Sequence, residues 1–303
     1  MSEFKIIGEN IHTTRSIKLG GIRTKEIDSK VVITYRKKGD EFSVMDIPKH
    51  FEDTQPYKQG QLKHFMIAIW HGMHGNSSQG IDYIKWEIER QTSNSACYLD
   101  INVDEYSYKI EDQIEAMRWL VDIIKEYASI PVSIDSSNPE IIKAGLDQYD
   151  NHKRPMVNSL SLERKDLIDA IVEFNAQVVV SAASESSMPE DSNERIENLT
   201  NLIDYSISKG LLLKDLFIDP LIFPISVSSS YGTDALEAIS KIKNEWPEVN
   251  ITGGMSNVSF GLPKRRLVND VFISLAIDSG ANSGIINPVE SKIDRILSID
   301  KNS

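Results

Sequence analysis

The chain has 303 residues, 33 Lys and Arg against 45 Asp and Glu, and 40% apolar residues. Those values describe an ordinary globular protein and exclude a disordered chain, a collagen and a small disulfide scaffold. The net charge of −12 argues against a nucleic-acid partner. No apolar run approaches the ~20 residues of a membrane span, so no membrane association is expected. The first five residues lack a basic region followed by a long apolar run, so no secretory signal is expected. The lone Cys97 cannot form an internal disulfide and fits a reducing cytoplasm.

Eight short β-branched or apolar runs recur along the chain. They are Lys5–Gly8, Ala96–Val103, Pro131–Asp135, Pro155–Ser159, Gln177–Ser181, Leu216–Phe223, Asn250–Ser256 and Ser283–Asn287. Helical patterns separate them. The first is marked by Tyr83, Ile84, Trp86 and Ile88, the second by Ile114, Met117, Leu120 and Ile123. Asn138-Pro139 opens the third, with proline at the first helical position. Leu167–Val172 marks the fourth. The fifth, around Leu199, Leu202 and Ile203, closes on Lys209-Gly210. Leu236–Ile242, Leu267–Ala276 and Ile293–Leu297 mark the last three. Strand–helix alternation implies a parallel sheet, and eight units close a (β/α)8 barrel. A doubly wound sheet is the alternative. Its dinucleotide-binding form needs a Gly-x-Gly-x-x-Gly turn, which neither Gly20-Gly21 nor Gly253-Gly254 supplies.

One connection breaks the rhythm. Between the first strand and the first helix lies an insertion, residues 13–78, that carries eleven Lys and Arg against seven acids. Its +4 leaves −16 on the remainder. Removing its 66 residues from 303 leaves 237, close to the ~250 of a bare barrel. Val31–Tyr35 and Glu41–Ile47 flank a Gly-containing turn, Arg36–Asp40, and predict a β-hairpin. The apolar patch Phe65–Trp70 predicts the surface that docks the insertion, which is expected over the C-terminal mouth.

In a barrel of this kind the C-terminal strand ends converge on the mouth. Here they read Gly8-Glu9-Asn10, Asp100-Ile101-Asn102, Asp135-Ser136-Ser137-Asn138, Asn158-Ser159, Ser181, Asp219-Pro220, Met255-Ser256-Asn257 and Asn287-Pro288. Asp and Asn recur, whereas Lys, Arg, His and Cys are missing from this reading. No metal site, Schiff-base lysine or Ser/His/Asp arrangement is therefore expected. Carboxylates and carboxamides suit a flat heterocycle: they accept from ring N–H and amino groups, and carboxamides also donate. The plainer reading is helix capping. It suits Ser137 and Asn138 better than Asp135. His71 and His74, three apart with no third ligand, read as packing or solvent-facing residues. Lys264-Arg265-Arg266 reads equally as a solvated basic turn and as a contact to an acidic tail or partner.

These segments resemble the methyltetrahydrofolate:corrinoid methyltransferase family, related to dihydropteroate synthase and to the folate domain of cobalamin-dependent methionine synthase. The matching motifs are Ile7-Gly8-Glu9-Asn10-Ile11, Leu99–Val103, Ser133–Asn138, Val157-Asn158-Ser159, Phe217–Ile222 and Gly254–Ser259. The resemblance implies that Asp135, Asn158 and Asp219 hold the pterin ring and that Asp100, Asn102, Glu9 and Asn10 line its pocket. It places Asn257 near N5, as the catalytic residue. It further implies 5-methyltetrahydrofolate or tetrahydrofolate as substrate, a corrinoid (cobalamin) on a separate partner protein, and a homodimer. The chain departs from the pattern at Asp104-Glu105, where Gly-Pro is usual, and at Asn10 and His12, where Arg and then Asn are common. Ser161 replaces a further Asn, and the insertion is extra. All four departures lie at the mouth. Three other readings share the residue set: direct, corrinoid-independent demethylation with the insertion as a lid, dihydropteroate synthesis, and a non-catalytic folate-binding subunit.

Overall fold

The computed structural model describes residues 4–298 except 38, 40, 151–152, 185–187 and 190. The first strand, β1 (Lys5–His12), leads into the insertion. This holds β2 (Ile17–Lys18), β3 (Thr24–Ile27), β4 (Lys30–Arg36), β5 (Phe42–Asp46), α1 (Lys49–Glu52), α2 (Gln55–Lys58), β6 (Gln61–Leu62) and α3 (His64–His74). Alternation then resumes with α4 (Ser77–Thr92), β7 (Ala96–Asn102), α5 (Ile110–Tyr127), β8 (Val132–Asp135), α6 (Pro139–Gln148), β9 (Met156–Leu160) and α7 (Leu167–Glu173). It ends with β10 (Gln177–Ser181), α8 (Ser192–Ser208), β11 (Leu216–Asp219), α9 (Ser230–Glu245), β12 (Asn250–Ile251), α10 (Arg265–Asp278), β13 (Ser283–Ile286) and α11 (Ile293–Leu297).

Eight parallel strands pair in the order β12-β11-β10-β9-β8-β7-β1-β13. Between β12 and β13 the ring closes by a few bonds rather than a full ladder. Gly254 bridges Ile285, the Ile285 amide donates to the Gly253 carbonyl at 2.9 Å, and Ser283 Oγ donates to the Ile251 carbonyl at 2.9 Å. The result is a nearly closed α/β barrel. The side-chain alternation shows the same closure. Ile7, Tyr98, Met156, Val179, Phe217 and Ile285, one from each of six strands, form a separate buried cluster. Their chain neighbours Ile6, Leu99, Val157, Val178, Ile218 and Ile286 belong to the large cluster shared with the helices. Six inward residues thus fill the lumen, and their burial contributes about 1.5–3 kcal/mol each.

Strand β12 is shorter than the sequence suggests. The run Asn250–Ser256 is a strand only to Ile251, after which Met255–Ser259 coils into a 3-10 turn. Gly253 is the reason. It sits at φ +153°, and a Cβ there would come within 3.0 Å of Asp219 Oδ1. The chain leaves the ladder at this point and makes room for the carboxylate.

The insertion divides into two parts. Strands β3-β4-β5 form an antiparallel sheet that contains the expected hairpin, though Lys38 and Asp40 of its turn lie outside the described residues. This sheet packs along α4. The Tyr35 ring lies 5.0 Å from Tyr83 and 5.2 Å from Trp86, and Lys37 pairs with Asp82 at 2.7 Å. His71 fixes the sheet to α3 through a hydrogen bond of Nε2 with the Asp46 carbonyl at 3.0 Å. The second part, β2 paired with β6, stays near the β7–α5 loop, where Lys63 meets Glu105 at 2.7 Å.

Helices α3 and α4 touch through glycine. A Cβ on Gly80 would come within 2.3 Å of the Ala68 carbonyl and 2.5 Å of the Gly72 amide, both backbone atoms that cannot turn aside. Gly80→Ala is therefore expected to destabilise the protein by about 1–3 kcal/mol, read as a lower melting temperature. An unchanged melting temperature would show that this crossing has slack.

Candidate active site

The mouth is organised by register. His12 pairs with Asn102, Asn102 with Asp135, and Asp135 with Asn158. Four polar residues from β1, β7, β8 and β9 thus stand in one row, at the C-terminal edge where barrel chemistry occurs. On β11 the register pairs Asp219 with Ser181 of β10.

Hydrogen bonds tie this row together. Asn102 Nδ2 donates to Asp135 Oδ2 at 3.0 Å. One layer deeper, Asp100 is fully buried and accepts from Ser133 Oγ at 2.5 Å and from Asn158 Nδ2 at 3.3 Å. Its other oxygen meets His12 Nε2 at 3.0 Å. His12 corrects the sequence reading, which found no histidine at a strand end. The strand β1 continues two residues beyond Asn10 and delivers the imidazole to the mouth. The ligand-type atoms of His12, Asp100 and Asp135 lie within 4.8 Å of one another. Asp100 already uses both oxygens and Asp135 one, so the trio is a hydrogen-bonded network rather than an open ligand set.

The charges are tuned by burial. Burial first, then repulsion from Asp100, pushes Asp135 up to about 7, while His12 and Asn102 act in the opposite sense. Burial likewise pushes Asp219 up to about 6, against the Leu221 amide that donates to its Oδ1 at 2.8 Å and the charge of Arg195. Carboxyl groups shifted toward neutrality at the C-terminal strand ends of a barrel make this cluster the candidate functional centre.

The other predicted residues fall differently. Glu9 pairs with Arg15 at 2.6 Å and accepts from Ser256 Oγ at 3.4 Å. It lines a cavity of about 130 Å³ with Arg265, Asn269 and Asn287. Asn10 is not brought to the group. Its Nδ2 donates to Glu87 of α4 at 2.7 Å and to Asn287 at 3.0 Å, because strand alternation turns Glu9 and Asn10 to opposite faces. Asn257 lies on the 3-10 turn, exposed. A Cβ on Gly254 would meet its Nδ2 at 2.9 Å, so the carboxamide lies over that glycine. Asn138 caps α6, accepting from the Glu140 amide at 2.8 Å, as expected of it.

Sequence reasoning missed Arg164. Its guanidinium donates to the Ser136 carbonyl at 2.8 Å and to Ser159 Oγ at 2.9 Å, joining the β8 and β9 ends beside Asp135. Asp104, one of the departures, accepts from Ser136 Oγ at 2.5 Å and the Ser137 amide at 2.8 Å, and so holds the loop before α6.

A profile of pterin-binding enzymes matches residues 75–287. The chain belongs to the pterin-binding enzyme family. Among its relatives is the methylcorrinoid:tetrahydrofolate methyltransferase of Eubacterium limosum, 28% identical over 204 residues, or 65% of this chain and 73% of that protein. The methionine synthase of Mycobacterium tuberculosis is 28% identical over 212 residues, 65% of this chain but only 17% of that much longer protein. Among solved structures, the dihydropteroate synthase of Xanthomonas albilineans in complex with 7,8-dihydropteroate superposes with a TM-score of 0.63 at 15% identity. It covers 98% of this chain and 92% of its own. At that identity the likeness concerns the fold. This pterin-binding enzyme contains no described helix long and apolar enough to cross a membrane.

Proposed function

We propose that the protein is a tetrahydrofolate-dependent methyltransferase. It moves a methyl group between N5 of (methyl)tetrahydrofolate and a corrinoid held by a separate carrier protein. The observation that carries this reading is the register row Asn102–Asp135–Asn158, with Asp219 at the C-terminal end of β11 across the barrel. Together they offer carboxylate acceptors and carboxamide donors at the C-terminal strand ends, the set an amino-pyrimidinone edge requires. The relative whose name specifies methyl transfer between a corrinoid and tetrahydrofolate supports the choice of reaction.

In this reading Asp135, Asn158 and Asp219 hold the ring, and Asp100 and Asn102 orient Asp135 and Asn158 through the hydrogen bonds described. Asn257 faces N5 and donates to it as the N–CH3 bond breaks, an interaction that strengthens toward the transition state. Dihydropteroate synthesis is less favoured: Asn250–Asn257 carries no base and β13 leads into Asn287-Pro288. Direct demethylation needs the hairpin as a lid. The hairpin's contacts with Tyr83, Trp86 and Asp82 on α4 support the carrier reading instead. A homodimer is proposed on the exposed apolar stripe Leu267, Val271 and Leu275 of α10, and a cytoplasmic location on the lone cysteine.

Two measurements test the reading. Calorimetry with 5-methyltetrahydrofolate is expected to show saturable binding. Mixing that complex with free cob(I)alamin is expected to produce the absorption bands of methylcobalamin. Absence of binding overturns the proposal. Binding without transfer, to free cobalamin or to any carrier protein co-purified with the chain, favours the non-catalytic subunit.

A further inference from the structure

His12 is the only basic side chain that hydrogen-bonds to either the buried Asp100 or the half-buried Asp135 among the described residues. Resting on the pterin reading, we propose that His12 is a positioning residue. It sets the charge of this carboxyl pair and so fixes the pH range in which the pocket accepts a pterin edge.

The geometry comes first. Asp100 and Asp135 stand on neighbouring strands, and with His12 their polar side-chain atoms fall within 4.8 Å. Two carboxylates that close, one of them buried and the other half-buried, do not both remain ionised unless a cation compensates them. Around His12 the facing charges are Asp100, Asp135 and Arg15. Arg15 is already paired with Glu9 at 2.6 Å. Around Asp135 they are Asp100, His12 and Asp104, with Arg164 nearby. Arg164 directs its guanidinium at the Ser136 carbonyl and the Ser159 and Ser161 hydroxyls. Arg164 therefore acts on Asp135 only at a distance, and the imidazole is the basic group in direct contact with the pair.

The proton positions agree with that assignment. Burial by itself would lower the His12 value, but the Asp100 hydrogen bond and the attraction of Asp100 and Asp135 outweigh it and raise it. The imidazolium in turn pulls Asp135 down against burial and repulsion. An asparagine at position 12 could still donate to Asp100, but it would carry no charge. Asp135 would then hold its proton to higher pH, and a protonated carboxyl accepts poorly from a pterin N–H.

The test is the pH dependence of 5-methyltetrahydrofolate affinity in the intact protein and in His12→Asn and His12→Gln, between about pH 5.5 and 9. In the native protein affinity falls on the acid side as Asp135 protonates. In both variants that fall is expected to move up by about one pH unit, giving roughly tenfold weaker binding near pH 7 and near-native binding at pH 9. A native pH profile overturns the proposal. So does a uniform loss at every pH, which would mark His12 as a shape-filling residue. The imidazole NMR resonance gives a readout without ligand. Its midpoint is expected above the ordinary histidine range and to drop in Asp100→Asn. If no pterin binds at any pH, the pterin reading falls, and an unmoved midpoint then refutes the charge coupling separately.

Discussion

Asp135→Asn is expected to weaken 5-methyltetrahydrofolate binding by about 10²-fold, while the protein at pH 8 becomes at least as stable as with the native carboxylate. The two halves have one cause. Asn102 donates to one oxygen of Asp135, and an asparagine keeps an oxygen for that bond. The other position changes from acceptor to donor and would point an N–H at the N–H or amino group of the pterin. Losing one charge-assisted bond and leaving the opposing donor unpaired costs about 2–4 kcal/mol. Stability moves the other way. The folded value of Asp135, about 7, lies above the ~3.9 of an unfolded aspartate. The native state therefore holds the proton more tightly. The stability linked to this group is complete below about pH 4 and is lost as pH rises through about 7. A neutral asparagine avoids that loss. Titration calorimetry and thermal unfolding at pH 8 check both halves. Unaltered affinity would remove Asp135 from the pocket. Lost affinity with a collapsed melting temperature would make it structural.

The same residues show how far the sequence could be read. The barrel was legible because each strand is a short apolar run, most of them with Asp or Asn at or just beyond the end, and the period-two alternation then fixes which atoms reach the lumen. Asn102, Asp135, Asn158 and Asp219 stand out because each lies at or near the end of such a run; the register aligns the first three, and Asp100 sits one layer deeper on β7. His12, placed at the mouth only as a departure from the family pattern, is absent from the strand-end reading because the polar Glu9 and Asn10 interrupt the first run before the strand has ended. Asn10 was assigned to the pocket because position in the chain does not reveal which face a strand residue takes. Its hydrogen bonds to Glu87 and Asn287 show that face. Arg164 follows β9 in a 3-10 turn with no periodicity to mark it. Strand β3 escaped notice for another reason. Only Thr24 of Thr24–Ile27 is buried, and a short edge strand with charged residues carries little apolar signal. The length of the seventh strand was overread because a Gly-Gly pair ends a ladder without changing the hydrophobic character of its flanks.

Asn257→Ala is expected to reduce methyl transfer by about 10²–10³-fold and to leave methyltetrahydrofolate affinity within a few-fold of native. The argument is one of differential binding. In the ground state N5 carries its methyl group and is a weak acceptor, so a donor there contributes little. As the N–CH3 bond breaks, the lone pair builds up on N5 and the same carboxamide N–H becomes a strong partner. Removing one such aligned donor costs about 2.7–4 kcal/mol of transition-state stabilisation. The location permits the test, because Asn257 is exposed on the turn after Gly254 and exposed truncations seldom shift stability by more than about 0.5 kcal/mol. A carboxamide does not titrate, so the variant should keep the native pH profile while its rate falls. That separates it from His12→Asn, which moves the profile. Single-turnover transfer to cob(I)alamin, with binding measured on the same samples, gives the answer. Equal losses of rate and affinity would make Asn257 a ring-binding residue. An unchanged rate would place the donor to N5 elsewhere, with Arg265 the candidate beside the same turn: its guanidinium donates to the Ser256 carbonyl at 3.0 Å and to Ser259 Oγ at 3.0 Å.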